Sequence, residues 1–256
     1  MAEASTASWA RRALVIVGHG SSSQPEGGRS VEALVETVRA RGIFADVRAA
    51  FLRMGPKLSD VLDELAGWAT YIVPHLAADG VVGEALSGAV AARKSIVICR
   101  ATGTHPDVAR IAARRLAELC ARFALSADRL GVLVAGHGTS RNPDSSARAR
   151  ALVDALLAAG AARESAAAFI EEPPSIAEWD RLLAAADIAV VPLLMAEGRH
   201  GGSDVARLLG VEPDGTEAPF AGPFAMRGRR LWLMRPLGVD PGFADIVLAR
   251  VTEADD

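Results

Sequence analysis

The sequence predicts an α/β protein of two duplicated βα domains, each with a four-stranded parallel sheet flanked by helices. Three observations predict it. Short apolar runs of strand length alternate with stretches of helical period, the pattern of βαβ crossovers. One such run, Leu130 to Ala135, ends in Gly136-His137-Gly138-Thr139-Ser140, and Leu14 to Val17 ends likewise in Gly18-His19-Gly20-Ser21-Ser22. The likeness then continues past the histidines. Phe51 and Phe169, Pro56 and Pro174, Pro74 and Pro192, Asp79 and Glu197, and Gly80 and Gly198 are each 118 residues apart, as His19 and His137 are. Gly103 and Pro106 answer Gly238 and Pro241 at a spacing of 135, so the second copy carries 17 extra residues, assigned to the Pro/Gly-rich stretch Glu212 to Gly228. Self-similarity over this length indicates a duplicated domain, not a solenoid.

The elements follow in order. Residues 1–12 read as a flexible leader, 13–123 as the N-terminal repeat and 130–256 as the C-terminal repeat. Strand one is Ala13 to Val17, a continuous apolar run of the kind buried on both faces of a parallel sheet. A helix near Ser30 to Arg41 places Val31, Leu34, Val35 and Val38 on one face, and Gly42 ends it. Strand two is about Val47 to Leu52. The next helix buries Leu58, Val61, Leu62 and Leu65. Strand three is Tyr71 to Pro74, followed by a short helix near Glu84 to Ala91. Strand four is Ile96 to Cys99, and a helix from Pro106 to Arg122 closes the half, proline suiting the first helical position. The second half repeats the order, with strands at Gly131 to Ala135, Ala166 to Ile170, Ile188 to Leu194 and Leu231 to Met234. Its helices lie near Ser145 to Ala159, Ser175 to Ala185, Ser203 to Leu209 and Pro241 to Val251.

Composition narrows the function classes. At 256 residues with 50% hydrophobic and 23% charged, the chain can bury one large core or two small ones. A formal charge of −3 argues against a nucleic-acid binder that relies on net positive charge. Cys99 and Cys120, far apart and outside any C-x-x-C pattern, read as buried thiols in a reducing compartment. No apolar run approaches the roughly 18 residues that span a bilayer. The expectation is a cytoplasmic protein, with no membrane partner.

In a parallel sheet the residues just past the strands converge on one edge. In the second half these are His137, Glu171 and His200, the last in Gly198-Arg199-His200-Gly201-Gly202. Two imidazoles and a carboxylate suit a divalent transition metal, the carboxylate serving as oxygen ligand or proton acceptor. In the first half His19 matches His137, but Arg53 stands where Glu171 does and Val82 where His200 does. That copy is expected to lack a metal site. His75 reads as a satisfied structural histidine and His105 as a cap or loop residue. No G-x-S-x-G, P-loop or G-x-G-x-x-G stands at a strand end. A metal-dependent hydrolase would want a further acid/base group or second metal, and no further ligand-rich strand end offers one.

With these residues laid out, the chain resembles the sirohydrochlorin chelatase family, in its long two-repeat form. The resemblance rests on Gly136-His137-Gly138-Thr139-Ser140, Phe169-Ile170-Glu171, Val191-Pro192-Leu193-Leu194 and Gly198-Arg199-His200 with Asp204-Val205, and more weakly on Gly18-His19-Gly20-Ser21-Ser22, Phe51-Leu52 and Gly103-Thr104-His105-Pro106. It implies chelatase-like halves and a lyase that inserts Co2+ or Fe2+ into sirohydrochlorin or a related tetrapyrrole lying between them. Ni2+ fits the same donors. It also implies that His137, Glu171 and His200 hold the metal and act catalytically, with no organic cofactor. Arg53, Arg141, Arg199 and His19 are the expected contacts to the polyanionic substrate, with Arg29 and Arg148 further flanking cations. A monomer is preferred over a homodimer, two halves in one chain replacing two copies. The alternative is a non-catalytic carrier of metal or tetrapyrrole on the same fold, which would keep the histidines and not need Glu171.

Overall fold

A computed structural model describes residues 9–21, 25–79, 86, 90, 93, 95–139, 143–197, 203–213 and 218–255. The chain forms two compact units, Met1–His105 with Gly238–Asp256, and Pro106–Leu237.

The first unit holds a four-stranded parallel sheet in the order β2-β1-β3-β4, built from β1 (Ala13–Gly18), β2 (Asp46–Phe51), β3 (Thr70–Pro74) and β4 (Ile96–Ile98). β1 is central and buried along its whole length, which is why its sequence is unbroken Ala-Leu-Val-Ile-Val-Gly. Helix α1 (Arg29–Arg39) buries the expected Val31, Leu34, Val35 and Val38, and α2 (Leu58–Glu64) buries Leu58, Val61 and Leu62. The helix expected near Glu84 to Ala91 falls mostly outside the described residues.

The second unit repeats this plan with β5 (Leu130–Gly136), β6 (Glu164–Phe169) and β7 (Asp187–Pro192). The register repeats too: Gly136 lies opposite Phe169 as Gly18 lies opposite Phe51. Helix α4 (Pro143–Ala158) follows β5, and α5 (Trp179–Leu182) and α6 (Val205–Leu209) follow β6 and β7. The stretch expected as a helix over Ser175 to Ala185 is a 3-10 turn, Ile176–Glu178, leading into the single turn of α5.

The expected strand count needs correcting in the second unit. The second sheet has five strands, β6-β5-β7-β9-β8, and β8 (Phe220–Met226) runs antiparallel to β9 (Arg229–Met234). The added strand lies within the stretch that carries the extra residues. Gly222-Pro223 disguised it as loop. An edge strand tolerates proline, and the register shift between Ala221 and Phe224 absorbs it as a bulge. The turn is Arg227-Gly228, with φ of 50° and 75°, the two left-handed residues a tight hairpin requires.

The compact units also differ from the stretches 13–123 and 130–256 expected as domains, because each takes its last helix from the other stretch. Helix α3 (Asp107–Phe123), which follows β4, belongs to the second unit; α7 (Phe243–Asp255), which follows β9, belongs to the first. Two buried arginines 135 residues apart hold the exchange. Arg250 of α7 donates to the Ala101 carbonyl at 3.1 Å and to Thr104 Oγ1 at 2.7 Å. Arg115 of α3 donates to the Pro236 carbonyl at 3.2 Å and the Pro219 carbonyl at 3.3 Å. Ala101 and Pro236 are themselves 135 apart, so the same contact is made in each unit by the other repeat's helix.

The leader expectation also changes for residues 9–12. Trp9 is 4% exposed, stacks on Phe44 with ring centroids 5.4 Å apart, and donates to Asp255 at 2.8 Å.

Candidate functional site at the strand ends

Three backbone bonds build the site in the second unit. The amide of Leu193 donates to the Ala135 carbonyl at 2.8 Å, carrying the β5–β7 pairing one residue past the strand. Glu171 N–H donates to the His137 carbonyl at 3.1 Å, which ties the loop after β6 to the loop after β5. Phe169 N–H donates to the Pro174 carbonyl at 2.9 Å and closes that loop on itself. Glycine is obligatory at 138. Its φ is +63°, and a Cβ there would stand 2.6 Å from Phe169 Cβ and 2.6 Å from Glu172 Cγ.

The clamp brings His137 Nε2 to 3.7 Å from Glu171 Oε1. His137 Nδ1 lies 3.1 Å from the Gly138 carbonyl. A carbonyl only accepts, so Nδ1–H donates there, and it is Nε2 that faces Glu171, the nitrogen whose lone pair a neutral imidazole with this tautomer offers to a metal. Two donors on one small ion, each at about 2.0–2.2 Å, stand roughly 3.0–3.4 Å apart. The observed pair needs only a small rotation of the carboxylate to meet that. Both side chains reach solvent, His137 at 32% and Glu171 at 49% exposure, so an incoming ion has access.

His200, Arg199 and Arg141, expected at the metal and around the substrate, lie outside the described residues. Among the described residues no group of three His, Cys, Asp or Glu side chains is placed to hold a metal. His137 and Glu171 are the part of the expected set that the structure brings together.

The first unit has the same scaffold with other side chains. Arg53 N–H donates to the His19 carbonyl at 2.9 Å, Phe51 N–H to the Pro56 carbonyl at 2.9 Å, and Gly20 sits at φ +68° against Met54 and Phe51. His19 and Arg53 are both exposed. His75 is 1% exposed: Nε2 donates to the Gly238 carbonyl at 3.0 Å, Nδ1 pairs with Thr102 Oγ1 at 3.0 Å, and Phe243 meets the ring edge-on at 5.3 Å. His105 Nε2 lies 3.4 Å from Glu253 Oε1. Both rings are engaged within the fold. A cavity of about 330 Å³ lies at the opposite edge of this sheet, against Leu62, Trp68, Thr70, Arg93 and Ile96. It is remote from the strand ends that carry the histidines.

Sequence reasoning passed over two features. Glu172 adds a second carboxylate to the loop after β6. A duplicated ion pair holds the loops after the third and fourth strands: Asp79 accepts from the Ala101 amide at 2.7 Å and stands 3.6 Å from Arg100, and Glu197 stands 2.5 Å from Arg235. The spacings of 118 and 135 already paired these residues in the sequence. Only the fold brings the two spacings to one place.

The family model described as CbiX matches residues 13–119 and again 131–254. A Halobacterium salinarum protein named "Probable sirohydrochlorin cobaltochelatase" is 29% identical over 95% of this chain and 91% of its own length. Among solved structures, a CbiX described as the terminal enzyme for biosynthesis of siroheme in denitrifying bacteria superimposes with a TM-score of 0.72 at 23% identity, covering 95% of this chain and 99% of that one. SirB from Bacillus subtilis, solved with Fe3+, gives 0.71 at 19% identity, covering 95% of each chain. These structural likenesses concern the fold.

Proposed function

The chain belongs to the CbiX family, and from that premise we propose that it is a metal chelatase of the lyase class, inserting Co2+ or Fe2+ into sirohydrochlorin or a closely related tetrapyrrole. The name of the Halobacterium relative supports the reaction. The observation that carries it in this chain is the clamped pair, His137 Nε2 and Glu171 Oε1 at 3.7 Å on adjacent strand ends.

Insertion requires that the ion shed water and that two pyrrole N–H protons leave the macrocycle. His137 and His200 hold the ion, which is substrate and not a resident cofactor. Glu171 accepts protons as general base, for which a carboxylate open to solvent is suited because it can pass them on. Arg141 and Arg199, in the loops that also carry His137 and His200, meet carboxylates on the rim of the macrocycle.

The test mixes the purified protein with sirohydrochlorin and each metal in turn, following the absorbance change on insertion. Glu171→Gln is expected to abolish insertion and to leave tetrapyrrole affinity nearly unchanged. A trace that stays flat with every metal for the wild-type protein, while tetrapyrrole still binds, would establish the carrier reading instead.

A further inference from the structure

The loops after the second, third and fourth parallel strands differ in charge between the two units. In the first unit residues 52–57, 75–79 and 99–101 carry Arg53, Lys57 and Arg100 against Asp79; in the second, residues 170–175, 193–197 and 235–236 carry Glu171, Glu172 and Glu197 against Arg235. Asp79 faces Arg100 and Glu197 faces Arg235, so each of these pairs is internally compensated. What distinguishes the two edges is therefore Arg53 and Lys57 on one and Glu171 and Glu172 on the other. The backbone beneath them is the same, with Arg53 clamped to the His19 carbonyl as Glu171 is to that of His137.

A scaffold that sets an imidazole beside a carboxylate collects a cation. The same scaffold with a guanidinium in the carboxylate's place repels one and attracts an anion. Arg53 is exposed and has no carboxylate partner among the described residues. Its planar fork matches a carboxylate in two-point contact, and Lys57, four residues on at the start of α2, adds a second cation.

We propose that the His19–Arg53 edge of the first unit is a carboxylate-binding seat, which takes a rim carboxylate of the anionic macrocycle. This rests on the proposed chelatase reading for the identity of the ligand, though not for its charge.

The test measures sirohydrochlorin binding by tryptophan quenching, without metal, in wild type, Arg53→Gln and Arg53→Lys. Loss of one charge-assisted contact is expected to weaken binding about 10-fold in Arg53→Gln, with Arg53→Lys recovering only part of it, since an ammonium keeps the charge and loses the two-point fork. Co2+ binding, followed by its visible absorbance, is expected to be unchanged in both variants. In parallel, citrate is titrated into wild type and the Arg53 Nε–H resonance is followed by NMR. Equal sirohydrochlorin affinity in wild type and Arg53→Gln overturns the seat and leaves the chelatase reading intact. No sirohydrochlorin binding, with citrate still shifting the Arg53 resonance, upholds an anion seat and overturns the substrate. No response to either probe overturns both.

Discussion

Gly138 shows how much of the site depends on one missing Cβ. Two costs fall there together, a left-handed φ of +63° and a Cβ that would stand 2.6 Å from Phe169 Cβ. Gly160 has nearly the same φ, +64°, but a Cβ added there would meet nothing within 4 Å. Gly160→Ala should therefore cost about 1 kcal/mol, from backbone strain alone. Gly138→Ala should cost about 2 kcal/mol or more, since Phe169 is held by its bond to Pro174 and cannot retreat. Urea unfolding of the two variants measures the difference, and insertion by Gly138→Ala should fall further than by Gly160→Ala because His137 and Glu171 part. The His137–Glu171 pairing was legible in the sequence for a simple reason: both follow strands of one parallel sheet, and topology alone brings such residues to one edge. Their tautomer and the backbone clamp were not legible, because these depend on loop conformation and not on spacing.

At the scale of elements, periodicity located most helices and strands and was silent about partners. The burial of Val31, Leu34, Val35 and Val38 could be read from their spacing; that α7 lies with the first unit could not, since an apolar helical face does not say which sheet it meets. β8 escaped for a local reason, Gly222-Pro223 in its middle, although Phe220, Phe224 and Met226 keep the two-residue period of a strand. The exchanged α7 is fastened at its middle and at its C-terminal end. At its middle, Arg250→Met keeps the apolar stem and removes the bonds to the Ala101 carbonyl, Thr104 Oγ1 and Glu253, while the Thr104 hydroxyl still donates to the Ala101 carbonyl at 2.9 Å; a loss of about 1–3 kcal/mol in urea unfolding is expected. At its end, Asp255 accepts from Trp9 and from the Tyr71 hydroxyl. Burial works against its ionised form, but the hydrogen bonds from Trp9 and Tyr71 and the charge of Arg12 prevail, and its pKa lies below the ordinary carboxylate value. A depressed folded pKa means that this contribution is fully present above about pH 4 and is lost as pH falls through the lower folded value. Asp255→Asn should thus be less stable than wild type at pH 7, and the gap should narrow toward pH 3 in denaturant titrations.

For the whole molecule, the duplication was visible as two spacings, 118 and 135, and it predicted two similar halves. It did not predict that neither half is complete. The first unit buries Phe243, Ile246, Val247 and Val251 of α7, each at 0% exposure. It also takes the Gly238 carbonyl for His75 and Arg250 for the loop after β4. Burying four such side chains contributes roughly 6–12 kcal/mol, comparable to the entire stability of a typical domain at about 5–15 kcal/mol. A fragment of residues 1–123 carries β1 to β4 and α3 but lacks α7, so it should show no cooperative unfolding transition by circular dichroism. Residues 124–256 lack α3, with Arg115 and the Phe123 ring that packs on Trp232 at 5.6 Å, and should fail in the same way. Mixed in equal amounts, the two fragments supply each other's missing helix, and a single cooperative transition should return with a midpoint that rises with concentration, as mass action requires of an assembly. A fragment of residues 1–123 that melts cooperatively by itself would mean that α3 can close its own sheet, and the exchange of helices would then be incidental to stability.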